Sequence, residues 1–546
     1  MLEFQNYTAV TTVGDLLMHA ARTHGKKQAL VFPDRQRSFK ELQAGATRMA
    51  RGLRAMGVRP GDHVGILLPS SIETAEAFFG IALLGAVSVP INARFRSREL
   101  TYIADNADLV AIVTSGKVAD SVNFVERLNE SFPELAHQPM DAELDMDGAR
   151  RLKRIVLINE DHAPGFTSAD TFARGADAVR EDEISHLRAR VRVSDTALIL
   201  YTSGTTSNPK GCLIAHEAIV RTGQAMARRY EMTEKDVFWS PLPMYHIGAM
   251  FPLCAAYSVG ATYLSMQHFE AGAAMEMIER DRATIAYPTF STFIADMIYH
   301  EDFARRDLGS IRIMNSNMAM QPASFAKSIQ DKIPGIIQVG TYGMTETSGA
   351  VSTSFPSDSY ESRTRRLGKP FDGLEVEIRR PDGSTCARDE VGEICVRGFS
   401  VFIAYYKDAE KTREAKRDGW FHTGDLGSMD AEGTMMFHGR LKDMLKVGGE
   451  NVAAQEIESL IGGHEAVKLC QVVGRPDPRL QEVPVAFVEL KPGKSTTRDD
   501  IIDFCKGKVA SFKVPRDVRF IEEWPMSASK IQKFRLQEML EGEPAQ

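Results

Sequence analysis

Cysteine is scarce in this chain. There are six in 546 residues, with no CxxC pair and no Cys/His cluster at zinc spacing, which argues against a structural metal and suits a reducing compartment. Neither charge sign dominates: 66 Lys+Arg stand against 73 Asp+Glu, a formal net charge of −7. That mildly acidic balance argues against nucleic-acid binding, which favours a basic surface, but leaves a local anion pocket open. Long apolar runs are missing too. The longest, near Ile81–Ile91, is too short to span a bilayer, so no transmembrane segment is expected. Residues 1–12 lack a charged start followed by an apolar core, so no signal peptide is expected. Low-complexity tracts and internal repeats are also absent. A cytoplasmic enzyme of more than one domain is the expectation.

What is present reads as α/β. Ser38 and Glu41 form a capping-box pattern, and Phe39, Leu42, Ala46, Met49, Leu53 and Met56 recur at helical spacing up to Gly57. Strands are expected at His63–Leu68, Ala86–Val89, Leu109–Thr114, Arg154–Asn159 and Ala197–Tyr201, with a helix at Ile72–Leu84. Strand, helix, strand with short punctuation predicts a parallel sheet. Residues 135–192 turn irregular, with an acidic stretch (Asp141, Glu143, Asp145, Asp147) and a basic one (Arg188, Arg190, Arg192) that read as solvated faces. After Gly368, crowded turns suggest a small β-rich piece. Past Arg440 a new α/β pattern begins: a helix at Ala453–Ile461, strands at Leu469–Val473 and Val485–Leu490, and a helix at Arg498–Ala510. The expected organisation is a large N-terminal domain, 1–440, of stacked α/β subdomains plus that β-rich piece, and a small mobile α+β domain, 441–546.

The strongest chemical signal follows the apolar strand at Ala197. Thr202, Ser203, Gly204, Thr205, Thr206 and Ser207 precede Lys210 on one tight segment. Glycine admits close approach of backbone N–H groups to an anion, the hydroxyls add donors, and the lysine adds charge. Such a loop suits nucleotide phosphates. It is not a Walker A loop, because Gly211 rather than Ser or Thr follows the lysine. Composition alone would leave it a surface turn.

The full string resembles the phosphate-binding signature of the adenylate-forming (ANL) superfamily. Pro241–His246 is similar to its acyl-site segment, Thr341–Glu346 to its adenine and magnesium segment, and Gly419–Asp425 to its ribose segment. Gly368–Gly373 and Gly392–Ile394 are similar to its structural turns, Gly439–Asp443 to its hinge, Gly448–Asn451 to its thiol tunnel, and Ser529–Ile531 to its catalytic lysine segment. The motifs run in the family's order over nearly the whole chain and match best the branch of acyl-CoA synthetases and carboxylic acid–CoA ligases.

The resemblance implies ATP and Mg²⁺ as cofactors, coenzyme A as a substrate, and two half-reactions through an acyl-adenylate. It implies that Thr202, Ser203, Gly204, Thr205, Thr206 and Lys210 hold phosphates, that Tyr342 offers a face to adenine, and that Thr345 and Glu346 serve the ion. Asp425 and Arg440 are placed at ribose. Lys530, His246 and Glu346 are the implied catalytic groups, Lys442 is the hinge, and Gly448, Gly449 and Glu450 line the CoA tunnel, with Lys446 and Arg475 toward the CoA phosphates. Ile247, Met250, Asn317, Met318 and Met344 are candidates for the acyl wall; equally, they read as core. Asn317 and Met318 depart from the family's small-residue segment, and Ser529 stands where a glycine is usual. A stand-alone enzyme loading a carrier-protein pantetheine remains the alternative. The acid itself and the assembly, a homodimer among the options, stay open.

Overall fold

The computed structural model describes residues 12–119, 122–159, 162–202, 209–448, 450–527 and 530–541. They form a mixed α/β fold. The chain divides into two compact units that interleave in sequence: Met1–His268, Gly343–Ala350 and Gly398–Glu414 make the first, and Phe269–Tyr342, Val351–Arg397 and Ala415–Gln546 the second. The 440/441 boundary expected from sequence falls inside the second unit.

In the first unit a six-stranded sheet runs in the order Lys210–Ala215, Thr196–Thr202, Val87–Pro90, His63–Leu67, Leu109–Thr114, Arg154–Leu157. All neighbours are parallel except Lys210–Ala215, which turns back antiparallel on Thr196–Thr202. Near-continuous apolar strands are what a sheet covered on both faces requires. The helix Ile72–Leu84 is buried almost all round; Ser71 caps its start, and Gly85 (φ 74°) ends it in the left-handed region. The neighbouring helix Phe39–Ala55 carries the complete capping box. It approaches so closely at Gly80 that a methyl group there would lie 2.7 Å from the Ala46 carbonyl oxygen. Residues 135–192 are more ordered than expected. They hold helices Ala169–Ala178 and Glu181–Arg188, and the Asp141 carboxylate accepts from the Ser168 N–H and hydroxyl. Arg188 pairs with Asp15 rather than facing solvent alone.

In the second unit Ile285–Ala286, Ile313–Asn315 and Ile337–Val339 pair in parallel. The turn-rich stretch after Gly368 forms the expected β piece, an antiparallel sheet built on Gly392–Gly398, Trp420–Met429 and Met435–Arg440. Farther on, Val467–Asp477 and Gln481–Leu490 make a long hairpin, about twice the expected strand lengths. Its alternating side chains feed two cores. Val472, Ala486 and Val488 meet the helices Ala454–Gly462 and Arg498–Cys505 on one face, and Val473, Val485 and Phe487 meet Leu536 and Leu540 on the other. The helix expected to reach Ala510 ends at Cys505, because Lys506 turns extended and Gly507 takes φ 74°. No helix among the described residues is long and apolar enough to cross a membrane.

Candidate active site

Two clusters of expected residues are built, one in each unit. The first begins where the strand Lys210–Ala215 pairs with Thr196–Thr202, setting Lys210 opposite Thr202. Ser203, Gly204, Thr205 and Thr206 lie outside the described residues. The segment Phe402–Tyr406 runs beside the same strand: the Ile403 N–H donates to the Leu213 carbonyl (2.8 Å), the Leu213 N–H to Ala404 (3.0 Å), and the Tyr406 N–H to Gly211 (2.7 Å). The Phe402 N–H donates to the Glu346 carbonyl, 2.8 Å away. Lys210 Nζ consequently lies over the Tyr405 ring, 5.2 Å from its centroid, while the Tyr405 hydroxyl donates to Glu346 Oε1 at 3.0 Å. Burial and then the Glu346 charge hold the Tyr405 hydroxyl far above the usual phenol range. The Cys212 thiol beneath is also pushed well up, by burial first and the Glu346 charge second.

Glu346 is half-buried and stands on a tight turn, Thr345–Thr347, with Thr345 beside it and no described residue bonded to Oε2. Mg²⁺ keeps several waters and takes one or two carboxylates plus phosphates. A half-buried carboxylate with one oxygen already oriented, next to a hydroxyl, fits that need.

The second cluster centres on Asp425, which is only 4% exposed. Its Oδ2 accepts from the Tyr342 hydroxyl at 3.0 Å, and Arg440 Nε lies 3.3 Å from Oδ1. Strand register sets Arg440 directly opposite Asp425. The Tyr342 ring is buried, so its hydroxyl, rather than a broad open face, is what the fold puts to use; burial and the Asp425 charge push that hydroxyl well up. The Tyr342 ring expected to face adenine lies beside this carboxylate.

The turn before Asp425 is braced by Glu393, read in the sequence only as part of a structural turn. Glu393 Oε1 accepts from the Gly424 N–H (3.0 Å), and its Oε2 meets His422 Nδ1 (2.8 Å). Cys395 Sγ lies 3.4 Å from the same nitrogen. The fold thus assembles a Glu/Cys/His group that no local spacing announced. Burial and the Glu393 charge push the Cys395 thiol up to about 12, so it stays protonated within this brace.

The remaining expected residues are placed as follows. His246 caps the helix Ile247–Ser258, its Nδ1 accepting from the Gly248 N–H at 3.2 Å. Ile247 and Met250, on that helix, are buried, whereas Met344 is half-buried. Asn317 takes φ 49°, a conformation asparagine tolerates better than most residues, and its Oδ1 accepts from the Thr341 N–H (3.2 Å); Met318 behind it is buried. That explains how a residue bulkier than glycine occupies the segment. Gly448 (φ 62°) turns the hairpin of Met444–Val447 and Glu450–Ala453, and Gly449 lies outside the described residues. Arg475 is engaged with buried Asp517 (3.4 Å), together with Arg498 and Arg519, and so is held in a structural ion cluster rather than offered to CoA. Lys442 stands in a short turn, Leu441–Asp443; the backbone of Lys530 pairs with Ser527 in a small hairpin, and Ser529 lies outside the described residues.

Known proteins resemble the chain along nearly its whole length. The family model for AMP-binding enzymes matches residues 17–406, and that for the AMP-binding enzyme C-terminal domain matches residues 456–530. The chain is 32% identical to the mitochondrial medium-chain acyl-CoA ligase ACSF2 of Rattus norvegicus, over 97% of this chain and 88% of that one. It is 31% identical to a methyl-dioxo-octahydroindenyl-propanoyl:CoA ligase of Rhodococcus jostii, over 97% and 98%. Among solved structures, the anthranilate CoA ligase AuaEII in complex with anthranoyl-AMP superposes with a TM-score of 0.86 at 29% identity, covering 98% of each chain.

Proposed function

The chain belongs to the AMP-binding enzyme family, in its acyl-CoA synthetase branch, and on that premise we propose that it is an ATP-dependent carboxylic acid–CoA ligase. The carboxylate oxygen attacks the α-phosphorus of ATP, the bond to the bridging oxygen breaks, and pyrophosphate leaves. The CoA sulfur then attacks the acyl carbonyl carbon of the adenylate, and AMP leaves. The observation that carries the first step is the Lys210–Tyr405–Glu346 cluster, which sets a cation and a hard oxygen ligand on one aromatic side chain.

Lys210 and Thr202 serve the phosphates, with Ser203, Gly204, Thr205 and Thr206 completing the cradle. Glu346, beside Thr345, would hold a magnesium ion, which would supply positive charge to neutralise the phosphates. Asp425 and Arg440 serve the ribose hydroxyls, and Tyr342 fixes the Asp425 carboxylate. His246, held through Nδ1 by the Gly248 N–H, serves the acyl carbonyl. Lys530 stabilises the charge that builds on the transferring phosphoryl group. Residues 441–546 turn about Lys442 between the half-reactions, exchanging Lys530 for the Gly448–Glu450 hairpin; two chemistries with different demands are met by a hinge-type switch. Met344 is the acyl-facing candidate of the first unit, and Asn317 that of the second.

The named relatives act on medium-chain, bicyclic and aryl acids at nearly equal identity to this chain. The acid is therefore set by local wall residues rather than by the frame. Carrier-protein loading is not favoured, since each of those relatives is a CoA ligase. A cytoplasmic location is supported by six free thiols, five of them buried. The test is AMP release coupled to thioester formation across short, medium, long, aryl and zwitterionic acids. One class should be turned over well above the others; pantetheinylated carrier protein accepted in place of CoA would overturn the proposal.

A further inference from the structure

We propose that Tyr405 is a positioning residue for nucleotide binding: its hydroxyl orients Glu346 for the metal ion, and its ring seats Lys210 for the phosphates. The inference rests on the adenylation reading above and adds to it a residue that no motif singled out.

Both contacts come from one side chain. The hydroxyl donates to Glu346 Oε1 at 3.0 Å, and the Lys210 ammonium lies 5.2 Å from the ring centroid. That distance is within the range in which an aromatic face attracts a cation. A carboxylate has two oxygens, so a donor that fixes one sets the direction of the other without occupying it. Partners of this kind beside a metal ligand are typically worth 10- to 100-fold in metal affinity.

The side chain is itself held firmly. Tyr405 forms an antiparallel bridge with Cys212, and its N–H donates to Thr412 Oγ1 at 3.0 Å. The segment from Phe402 to Tyr406 is bonded to the Glu346 carbonyl at one end and to the strand of Lys210 along its length. Ser348 Oγ adds a tie to the Ser400 carbonyl at 2.7 Å. Successive side chains of an extended segment point opposite ways. Tyr406 accordingly leaves the cluster and donates to Asp108 Oδ2 at 2.6 Å. A phenol is an ordinary hydrogen-bond donor near neutral pH, so the part of the Tyr405 hydroxyl is geometric.

Two substitutions separate the two contacts. Tyr405→Phe removes the hydroxyl and keeps the ring beneath Lys210; Tyr405→Leu removes both. The full-length protein is titrated with α,β-methylene-ATP by calorimetry at a series of Mg²⁺ concentrations, alongside melting curves. In the wild type, analogue binding should rise with Mg²⁺. In Tyr405→Phe the Mg²⁺ midpoint should move up about 10-fold, with the melting temperature close to wild type. In a Glu346→Gln background the same change should move it no further, since the carboxylate it orients is gone. Tyr405→Leu should also weaken analogue binding at saturating Mg²⁺. An unchanged Mg²⁺ midpoint in Tyr405→Phe, against a metal-dependent wild type, overturns the orienting role. Equal analogue affinity of the Phe and Leu variants at saturating Mg²⁺ overturns the ring's role. Wild-type binding that ignores Mg²⁺ would instead overturn the adenylation reading, and this inference with it.

Discussion

The clusters Lys210–Tyr405–Glu346 and Arg440–Tyr342–Asp425 use the same three kinds of side chain: a cation, a tyrosine and a carboxylate. They use them differently. Asp425 is buried, with its two oxygens facing the Tyr342 hydroxyl and Arg440. Glu346 is half-buried, with Tyr405 on one oxygen and the lysine on the tyrosine ring rather than on the carboxylate. A buried carboxylate must be fully partnered, because an unpaired buried charge is strongly destabilising. A half-buried one can leave an oxygen for an ion. The Asp425 arrangement suits a fixed acceptor for neutral hydroxyls; the Glu346 arrangement suits a group whose charge arrives with the ligand.

Five substitutions can break or sharpen that contrast. The largest effect is expected outside both clusters. Lys530→Ala should slow adenylate formation by roughly 100- to 1,000-fold and leave thioester formation from supplied acyl-adenylate nearly intact; equal loss in both steps would refute its assignment. Lys442→Pro should reverse that selectivity, slowing the thioester step by about 10-fold or more while adenylation continues, as expected when a gating motion is stiffened. Stopped-flow measurement of each half-reaction distinguishes the two patterns.

The contrast itself is tested by Asp425→Asn beside Glu346→Gln. Both should impair adenylation. Only Asp425→Asn should also destabilise the fold, by about 1–3 kcal/mol, because Arg440 and Tyr342 lose a buried anionic acceptor. Glu346→Gln should stay within about 0.5 kcal/mol of wild type. Equal shifts in chemical denaturation would show that the two carboxylates are not held differently.

The smallest effect is a control remote from both motifs. Burial, followed by the neighbouring Glu73 charge, raises Glu76 to about 7. A carboxyl raised in the folded state is better tolerated when protonated. Its cost is therefore absent below the ordinary range near 4.5 and grows as pH rises toward about 7. Glu76→Gln should remove that decline, worth on the order of 1–3 kcal/mol above neutrality, and leave adenylation unchanged. Denaturation midpoints at pH 4.5 and 8 would show it, and an unaltered slope between them would contradict the burial argument.

Much of this was legible in the sequence. The helix Ile72–Leu84 and the strand Leu109–Thr114 match their expected bounds, because apolar run length and capping residues are local signals. So were the motif residues Lys210, Glu346, Asp425 and Arg440, which the fold brings into two clusters. The braces were not. Tyr405 meets Glu346 across 59 positions, and Glu393 meets His422 across 29; pairings at such distances leave no periodic trace. The hydroxyl contact from Tyr342 to Asp425, across 83 positions, was equally silent in the sequence. The helix ending at Cys505 was overextended because the left-handed turn at Gly507 outweighed helical spacing.

The most direct measurement is exchange of radiolabelled pyrophosphate into ATP by the full-length protein, with each acid of the panel and without CoA. The account predicts exchange that depends on one class of acid and on Mg²⁺ and needs no thiol, because the adenylate forms before CoA reacts. Exchange that requires CoA, or none with any acid while CoA esters still form, would contradict it.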